Sequence, residues 1–585
     1  MIKSPWMKPF VVALLALTGA CGTTPPPTPV SVAQASSVLV PVVPGEVALG
    51  PIESARSMQV ASMVMASPIA IGGELDALSK HLNLPVQLGR ELFSRLGAIP
   101  GGGTNVADLA KKLDANMPIA VVWFMGKQST TQGFCAAMTV GDGIDGKAVQ
   151  AEFGAEKSSE GGVSERLDST GTTLFLATKG RTLLVANRRQ LLPLGGALAM
   201  ASQVRRANEQ VAVSIWPQSM AQASGQSFEQ LSQKANKAIE TLPTPTGGQL
   251  TPAGRRMLAA GVDLLFGYLG QTQLVRFILG AGTQRGLVLR TELTPQPNSA
   301  LALLSAKTAP YAFDKNLPIK NDGTSVFAWG DIWNWLADVQ KVFKATGKNG
   351  EKMATEWRKL HGETVSSASC SLDFSTSDWL LLCSYELRKG VDAGKSLDSF
   401  VAMYQAQNDW AAEMEARKAT PLKIKKGKGT VSIEQKVESA DKKALALMKS
   451  IYGSEILRIT FATSSGRVIQ SISTKPVNPL SMYGKGQSAL PPILAASVSQ
   501  TAGAELMASI EPVSPLLYLL PKIAGNEMAP LIGMLSVLPG GADLHVPMLL
   551  TMRGGEVLSG ELQFPIAGLE TLGKVLSGVM GQPGR

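Results

Sequence analysis

Apolar residues along this chain fall in short runs, broken by glycine, proline and charge at intervals that suit strands and modest helices. Ala66–Leu78 reads as a strand running into a helix, and Thr324–Leu336 repeats that plan with Gly73 matching Gly330 at the turn. Cys135 and Cys383 each lie in a strand that leaves through a glycine-rich turn towards a helix, at Gly143–Lys147 and Gly390–Lys395. Thr173–Val185 and Leu457–Ile469 both read as hairpins, turning at Gly180-Arg181 and Gly466-Arg467, because glycine supplies the backbone freedom a tight turn demands. Val211–Pro217 parallels Leu506–Pro512, and Val288–Pro295 parallels Val557–Pro565, each of the latter pair opening a short helix, at Ser299–Ala306 and Leu569–Leu576. Landmarks recurring in one order predict an internal duplication. The expected fold is α+β, two tandem, diverged copies of an antiparallel sheet-plus-helices unit at 58–308 and 318–582, joined by a linker at 309–317. The first copy adds a helical segment around Pro252–Gly280, and 242–248 and 152–162 read as exposed loops.

A chain of 585 residues exceeds what one hydrophobic core fills, and 45% hydrophobic content suffices for more than one. No apolar run after residue 20 is long enough to span a bilayer; Leu191–Met200 and Met548–Leu550 are apolar but both stop far short. The positive charge is spread thinly, so no nucleic-acid partner is expected. The one dense basic run is Arg417, Lys418, Lys423, Lys425, Lys426 and Lys428, read as an exposed loop or strand edge. Anionic lipid headgroups or a cell-wall polymer are its candidate contacts.

The first residues carry Lys3 and Lys8, the apolar run Phe10–Leu17, and then Thr18-Gly19-Ala20-Cys21. A positive start, a short apolar core and small residues before a cut are the export pattern. Gly19-Ala20 directly before Cys21 resembles the signal peptide and lipobox of the bacterial lipoprotein precursors, although Thr18 stands where the commonest members carry Leu. That resemblance implies removal of residues 1–20, lipidation of the Cys21 thiol, and attachment to the membrane through several acyl chains. Gly22, in place of an acidic residue, resembles the members sorted to the outer membrane, facing the periplasm or the cell surface. Residues 21–57, with Pro25, Pro26, Pro27, Pro29, Pro41, Pro44 and Pro51, read as a semi-stiff tether. Loss of Lys3 and Lys8 leaves 53 basic against 45 acidic side chains, about +8.

Cys370 and Cys383 flank two apolar arms with Ser375–Asp378 between them; a hairpin there sets the thiols opposite one another, and an oxidising envelope permits a disulfide. Cys135 is left as a buried strand thiol. A search for chemistry finds little. His81, His361 and His545 lack metalloprotease spacing, Ser439–Lys442 has only the bare Ser-x-x-Lys interval at a charged helix start, and Gly280–Gly286 misses the dinucleotide spacing and reads as a turn. No metal or cofactor is expected. Trp329, Trp333 and Trp335 form the densest aromatic cluster, a core element or a partner patch. The function expected is a lipid-anchored envelope scaffold or binding protein, with another envelope protein as its partner. Alternatives are a periplasmic carrier of lipid or another apolar ligand, and an unrecognised envelope hydrolase.

Overall fold

The computed structural model describes residues 48–573 apart from 83, 85–86, 92–104, 127–131, 154–156, 160–161, 168–172, 207–208, 242–250, 307–308, 320–323, 332, 375–378, 437–444, 447–448, 450–452, 485–489, 512–546 and 571–572. Cys21, the part of the 21–57 tether up to residue 47, His545 and Ser439–Lys442 lie outside the described residues; the end of that segment forms the helix Ile52–Arg56, with Ala55 buried in the core.

Two compact units emerge, and neither is a continuous stretch of chain. One holds residues up to Ser227 together with Thr272–Pro295; the other holds Phe228–Gln271 and Gln296 onward. The first contains β1 (Gln59–Met65), β2 (Ile119–Met125), β3 (Gln132–Thr139), β4 (Lys157–Ser159), β5 (Val163–Leu167), β6 (Thr173–Lys179), β7 (Thr182–Ala186), β8 (Val211–Ile215), β9 (Thr272–Gly282) and β10 (Gly286–Pro295). Their lateral order is β4-β5-β6-β7-β3-β2-β1-β8-β9-β10, antiparallel at every step. The second contains β11 (Ser325–Trp329), β12 (Val365–Phe374), β13 (Trp379–Leu387), β14 (Lys423–Gly427), β15 (Thr430–Lys436), β16 (Ile456–Ser464), β17 (Arg467–Ser473), β18 (Leu506–Ile510), β19 (Met548–Arg553) and β20 (Leu558–Phe564). These run β14-β15-β16-β17-β13-β12-β11-β18-β19-β20, again antiparallel throughout.

Likeness of strand order does not make these separate copies, and the expected duplication into two tandem sheet-plus-helices domains is corrected. The named strands belong to one continuous antiparallel sheet. The helices Phe228–Thr241 and Pro252–Leu269, assigned from sequence to the first copy, belong to the compact unit of β11–β20. Specific bonds hold the second of them there. Tyr268 donates to Asp338 Oδ2 at 2.6 Å, Arg256 Nε donates to the Ala345 carbonyl at 3.0 Å, and Thr251 Oγ1 donates to the Met414 carbonyl at 2.9 Å.

Local chemistry explains where elements begin. The apolar run at 66–71 is not a strand: Ser67 accepts the Ala70 N–H and Pro68 fills the first helical position, so the helix Pro68–His81 starts there and the strand is β1 before it. Gly73 therefore sits inside a helix, whereas Gly330 does lie at a strand-to-helix turn after β11. The Pro252 helix ends at Leu269, and the chain continues into β9. Both glycine-arginine turns form as expected between β6 and β7 and between β16 and β17. Cys370 and Cys383 are directly opposed in the β12–β13 ladder and form the disulfide. No helix among the described residues is long and apolar enough to cross a membrane; Leu191–Ala201 is a core helix instead.

That helix shows how the first unit closes. Leu191, Leu192, Leu198 and Ala199 pack on Val122, Phe124, Cys135, Ala137, Leu184 and Ala186, which β2, β3 and β7 present on one face. A Cβ at Gly195 would lie 2.6 Å from the Phe124 ring, so glycine is what lets helix and sheet touch. At the start of the described chain, Gly50 donates to the Pro193 carbonyl at 2.6 Å. In the second unit Phe400, Val401 and Met403 of the Ala393–Met414 helix pack on Val431, Ile433, Ile459, Phe461 and Val468.

The two matched glycines make a discriminating pair. A Cβ at Gly330 would lie 1.9 Å from the Ala309 carbonyl oxygen, whereas Gly73 has nothing within 4 Å. Gly330→Ala is expected to destabilise by about 2 kcal/mol or more, and Gly73→Ala to stabilise by up to about 1 kcal/mol. Urea unfolding midpoints of the two variants check both signs; equal shifts would contradict the assignment.

Candidate functional site: an apolar sheet face

The face of the first unit opposite the Leu191–Ala201 helix has an unusual composition. Register aligns Ile119, Met65, Val211, Leu279 and Leu289 in one row across β2, β1, β8, β9 and β10. The next row is Val121, Met63, Val213, Phe277 and Thr291, and the third is Trp123, Ala61, Ile215, Val275 and Leu293. Thr291 is the one polar side chain in these rows. Val275 and Leu293 are buried, but Phe277, Leu279 and Leu289 remain 45%, 38% and 49% exposed, and Met63, Met65, Val211 and Val213 are half-buried. A contiguous exposed apolar surface on a water-facing sheet marks a binding surface more often than an accident of composition. Sequence reading missed it. The signal was Val275-Arg276-Phe277-Ile278-Leu279, where apolar residues occupy both strand faces; only register shows that one face is open.

The other face of β9 and β10 carries charge. Glu209, buried, accepts from Arg276 Nη2 at 3.0 Å and from Arg290 Nη2 at 3.2 Å, and Arg276 Nη1 donates to Glu292 Oε2 at 2.7 Å. Beside it a cleft of about 340 Å³ is lined by Glu74, Ala77, Glu209, Ile278, Arg290 and the Gly280–Gly286 hairpin. Glu74 accepts from Gln210 Nε2 and lies 3.5 Å from Arg205. Each of these carboxylates is engaged by a cation or amide donor. The cluster is an ion-pair network, with Arg290 Nε left without a hydrogen bond, that holds the loop before β8 against the β9–β10 hairpin.

Titratable groups in the second unit are likewise committed to structure. Tyr385 donates to Gln470 Oε1 at 2.7 Å and Gln470 Nε2 donates to Tyr404. Burial pushes the Tyr404 hydroxyl up to about 12 and raises that of Tyr385, which the neighbouring Tyr404 raises further. Burial alone would raise Asp314, but hydrogen bonds from Ser384, the Asn316 N–H and Tyr483, together with Arg467, leave it below the usual carboxylate range. His361, half-buried with its ring 4.5 Å from that of Trp357, is held down to about 4 by burial. It lies in a π-helical turn, Arg358–Thr364, whose carbonyl at His361 accepts from Arg388. Among the described residues no group of three or more His, Cys, Asp or Glu is placed to hold a metal ion.

The residues singled out from sequence are dispersed. Trp329 is on β11, half-buried, with its ring edge-on to Tyr385 at 6.4 Å. Trp333 and Trp335 begin the next helix, Trp333–Thr346, so Trp329 shares no helix face with them. Arg417 pairs with Glu415 at 2.8 Å and Lys426 with Asp398 at 2.7 Å; Lys418, Lys423, Lys425 and Lys428 are exposed. Cys135 is fully buried in the core under the Leu191–Ala201 helix, and burial pushes its thiol up to about 12. His81 is exposed at the end of its helix. No protein-family model, curated protein or solved structure matches this chain.

His361 gives a pH dependence whose sign is fixed by its depressed folded value. Between about 6.5 and about 4 the unfolded chain binds a proton that the folded chain refuses, so stability is lost as pH falls through that window. Moving from pH 8 to pH 5 is expected to cost about 2 kcal/mol from this residue. His361→Phe should remove that part of the slope in urea titrations at the two pH values; an unchanged slope would contradict the buried neutral imidazole.

Proposed function

We propose that this chain is a lipid-anchored binding protein of the cell envelope, held at the outer membrane through Cys21, and that its β1–β2–β8–β9–β10 face takes the hydrocarbon chain of an apolar ligand. The observation that carries the reading is the exposed run Phe277, Leu279 and Leu289, continued by half-buried Met63, Met65, Val211 and Val213. A protein partner is ordinarily met by an apolar centre ringed with polar and charged groups. These rows offer one hydroxyl and no charge, which suits a ligand with no hydrogen bonds to make. Methionine side chains adapt to irregular apolar shapes, as an acyl chain presents. The lipoprotein-like N-terminus puts such chains within the protein's surroundings. Catalysis forms no part of the proposal, because the polar clusters that support it best are closed ion-pair and hydrogen-bond networks.

Two experiments test the two halves of this reading. Replacing Cys21 with Ser is expected to abolish metabolic incorporation of labelled palmitate and release the protein from the membrane fraction; continued labelling would refute the anchor. For the apolar face, the purified protein should bind a fluorescent fatty acid that phospholipid displaces. Phe277→Asp combined with Leu289→Asp should weaken that binding at least about tenfold, with circular dichroism unchanged because both side chains are exposed. Wild-type affinity in the double variant would remove the face from consideration.

A further inference from the structure

We infer that the β14–β15 hairpin is a contact surface for an anionic lipid bilayer, an inference that goes beyond the ligand face and rests on the anchor reading only for placing a membrane nearby. β14 ends its strand order: it pairs with β15 and with no second strand among the described residues. Alternation along it separates two kinds of lysine. Ile424 and Lys426 point to one side, where Ile424 joins the core of the Ala393–Met414 helix and Lys426 pairs with Asp398 of that helix at 2.7 Å. Lys423 and Lys425 point to the other side and are exposed. Lys428 stands at the tip, followed by Gly429, whose φ of 68° allows the tight turn that closes the Gly427–Thr430 pair.

Among the described residues none of Lys423, Lys425 and Lys428 lies within ion-pair distance of a carboxylate, although Lys423 stands opposite Glu434 in the ladder, whereas Arg417 and Lys426 in the same basic run are both paired. The charge without an ion-pair partner is thus gathered, apart from Lys418, at one hairpin edge and tip. Its chemistry selects among anions. Lysine ammoniums are point charges without the bidentate fork that reads an individual phosphate or carboxylate, and they suit a diffuse charged surface. No aromatic residue lies in Lys423–Lys436 to stack a base, which removes the means of holding single-stranded nucleic acid. Each lysine brought to an anionic bilayer adds attraction that fades within a Debye length.

Sedimentation of the full-length protein with vesicles tests the inference, using phosphatidylcholine alone and an equal mixture with phosphatidylglycerol. Anchor-dependent binding appears in both vesicle types, so its failure would be seen with phosphatidylcholine and would not imitate failure of the hairpin. The expected result is a preference for the mixed vesicles that high salt abolishes and that Lys423→Gln, Lys425→Gln and Lys428→Gln together reduce at least about tenfold. A control with Lys237→Gln, Lys389→Gln and Lys395→Gln, exposed lysines elsewhere carrying the same total charge, should keep the preference. The inference is overturned if the hairpin variant keeps it too. It is equally overturned if the hairpin variant self-associates while binding mixed vesicles like wild type, since the lysines would then serve to keep the strand edge from pairing. Lysine-dependent binding to a soluble anionic glycan polymer without any vesicle preference would also overturn it.

Discussion

The contact between Gly195 and the Phe124 ring is the constraint on which the first unit depends. Because that position has no side chain, the Leu191–Ala201 helix lies directly on β2 and β3 and completes a hydrocarbon core on their inner face. Strand alternation turns Trp123, Met63, Val213 and Phe277 to the opposite face. The open apolar face is thus the reverse of the surface that the helix seals over β2 and β3. A bulkier residue at 195 would push the helix off, expose core leucines, and blur the distinction between the sealed and the open face.

Polar interactions divide the same strands in a complementary way. Arg276 and Arg290 leave β9 and β10 on the side away from Phe277, and both reach Glu209. A buried carboxylate held by two guanidiniums adds little net stability against apolar packing, yet breaking it is costly because an uncompensated charge would remain. Such a network fixes register: a one-residue slip of β10 would carry Arg290 to the apolar side and bring Leu289 against Glu209. The apolar character of the open face and integrity of the ion cluster are thus two readings of one alignment.

Features that depend on neighbours in sequence were legible beforehand. The Gly180-Arg181 and Gly466-Arg467 turns, the Cys370–Cys383 hairpin and the Gly280–Gly286 turn each need only a few consecutive residues to specify them. The start of the Pro68–His81 helix was also local, written in Ser67-Pro68, but an apolar run from Ala66 to Ile71 disguised it as a strand. What depends on distant partners was not legible. Helices at 228–269 belong with strands that begin at residue 325 through contacts such as Tyr268 with Asp338, and no periodicity announces such a partner. The apolar face was hidden for the same reason: Phe277 and Ile278 are equally apolar as letters and alternate along the strand, but only the fold shows that Ile278 is covered and Phe277 is open.

The disulfide has a consequence for assembly. With Cys21 acylated in the envelope location proposed above, three thiols emerge into an oxidising compartment, so a wrong bond to Cys135 is chemically available. Cys370 and Cys383 are separated by 13 positions, whereas Cys135 precedes both by more than 200. Closing the longer loop costs about 2.5 kcal/mol more in chain entropy, and β3 sequesters Cys135 beneath its helix once the first unit has formed. In such a compartment loop-closure entropy would favour the Cys370–Cys383 bond before folding, and burial would shield Cys135 afterwards.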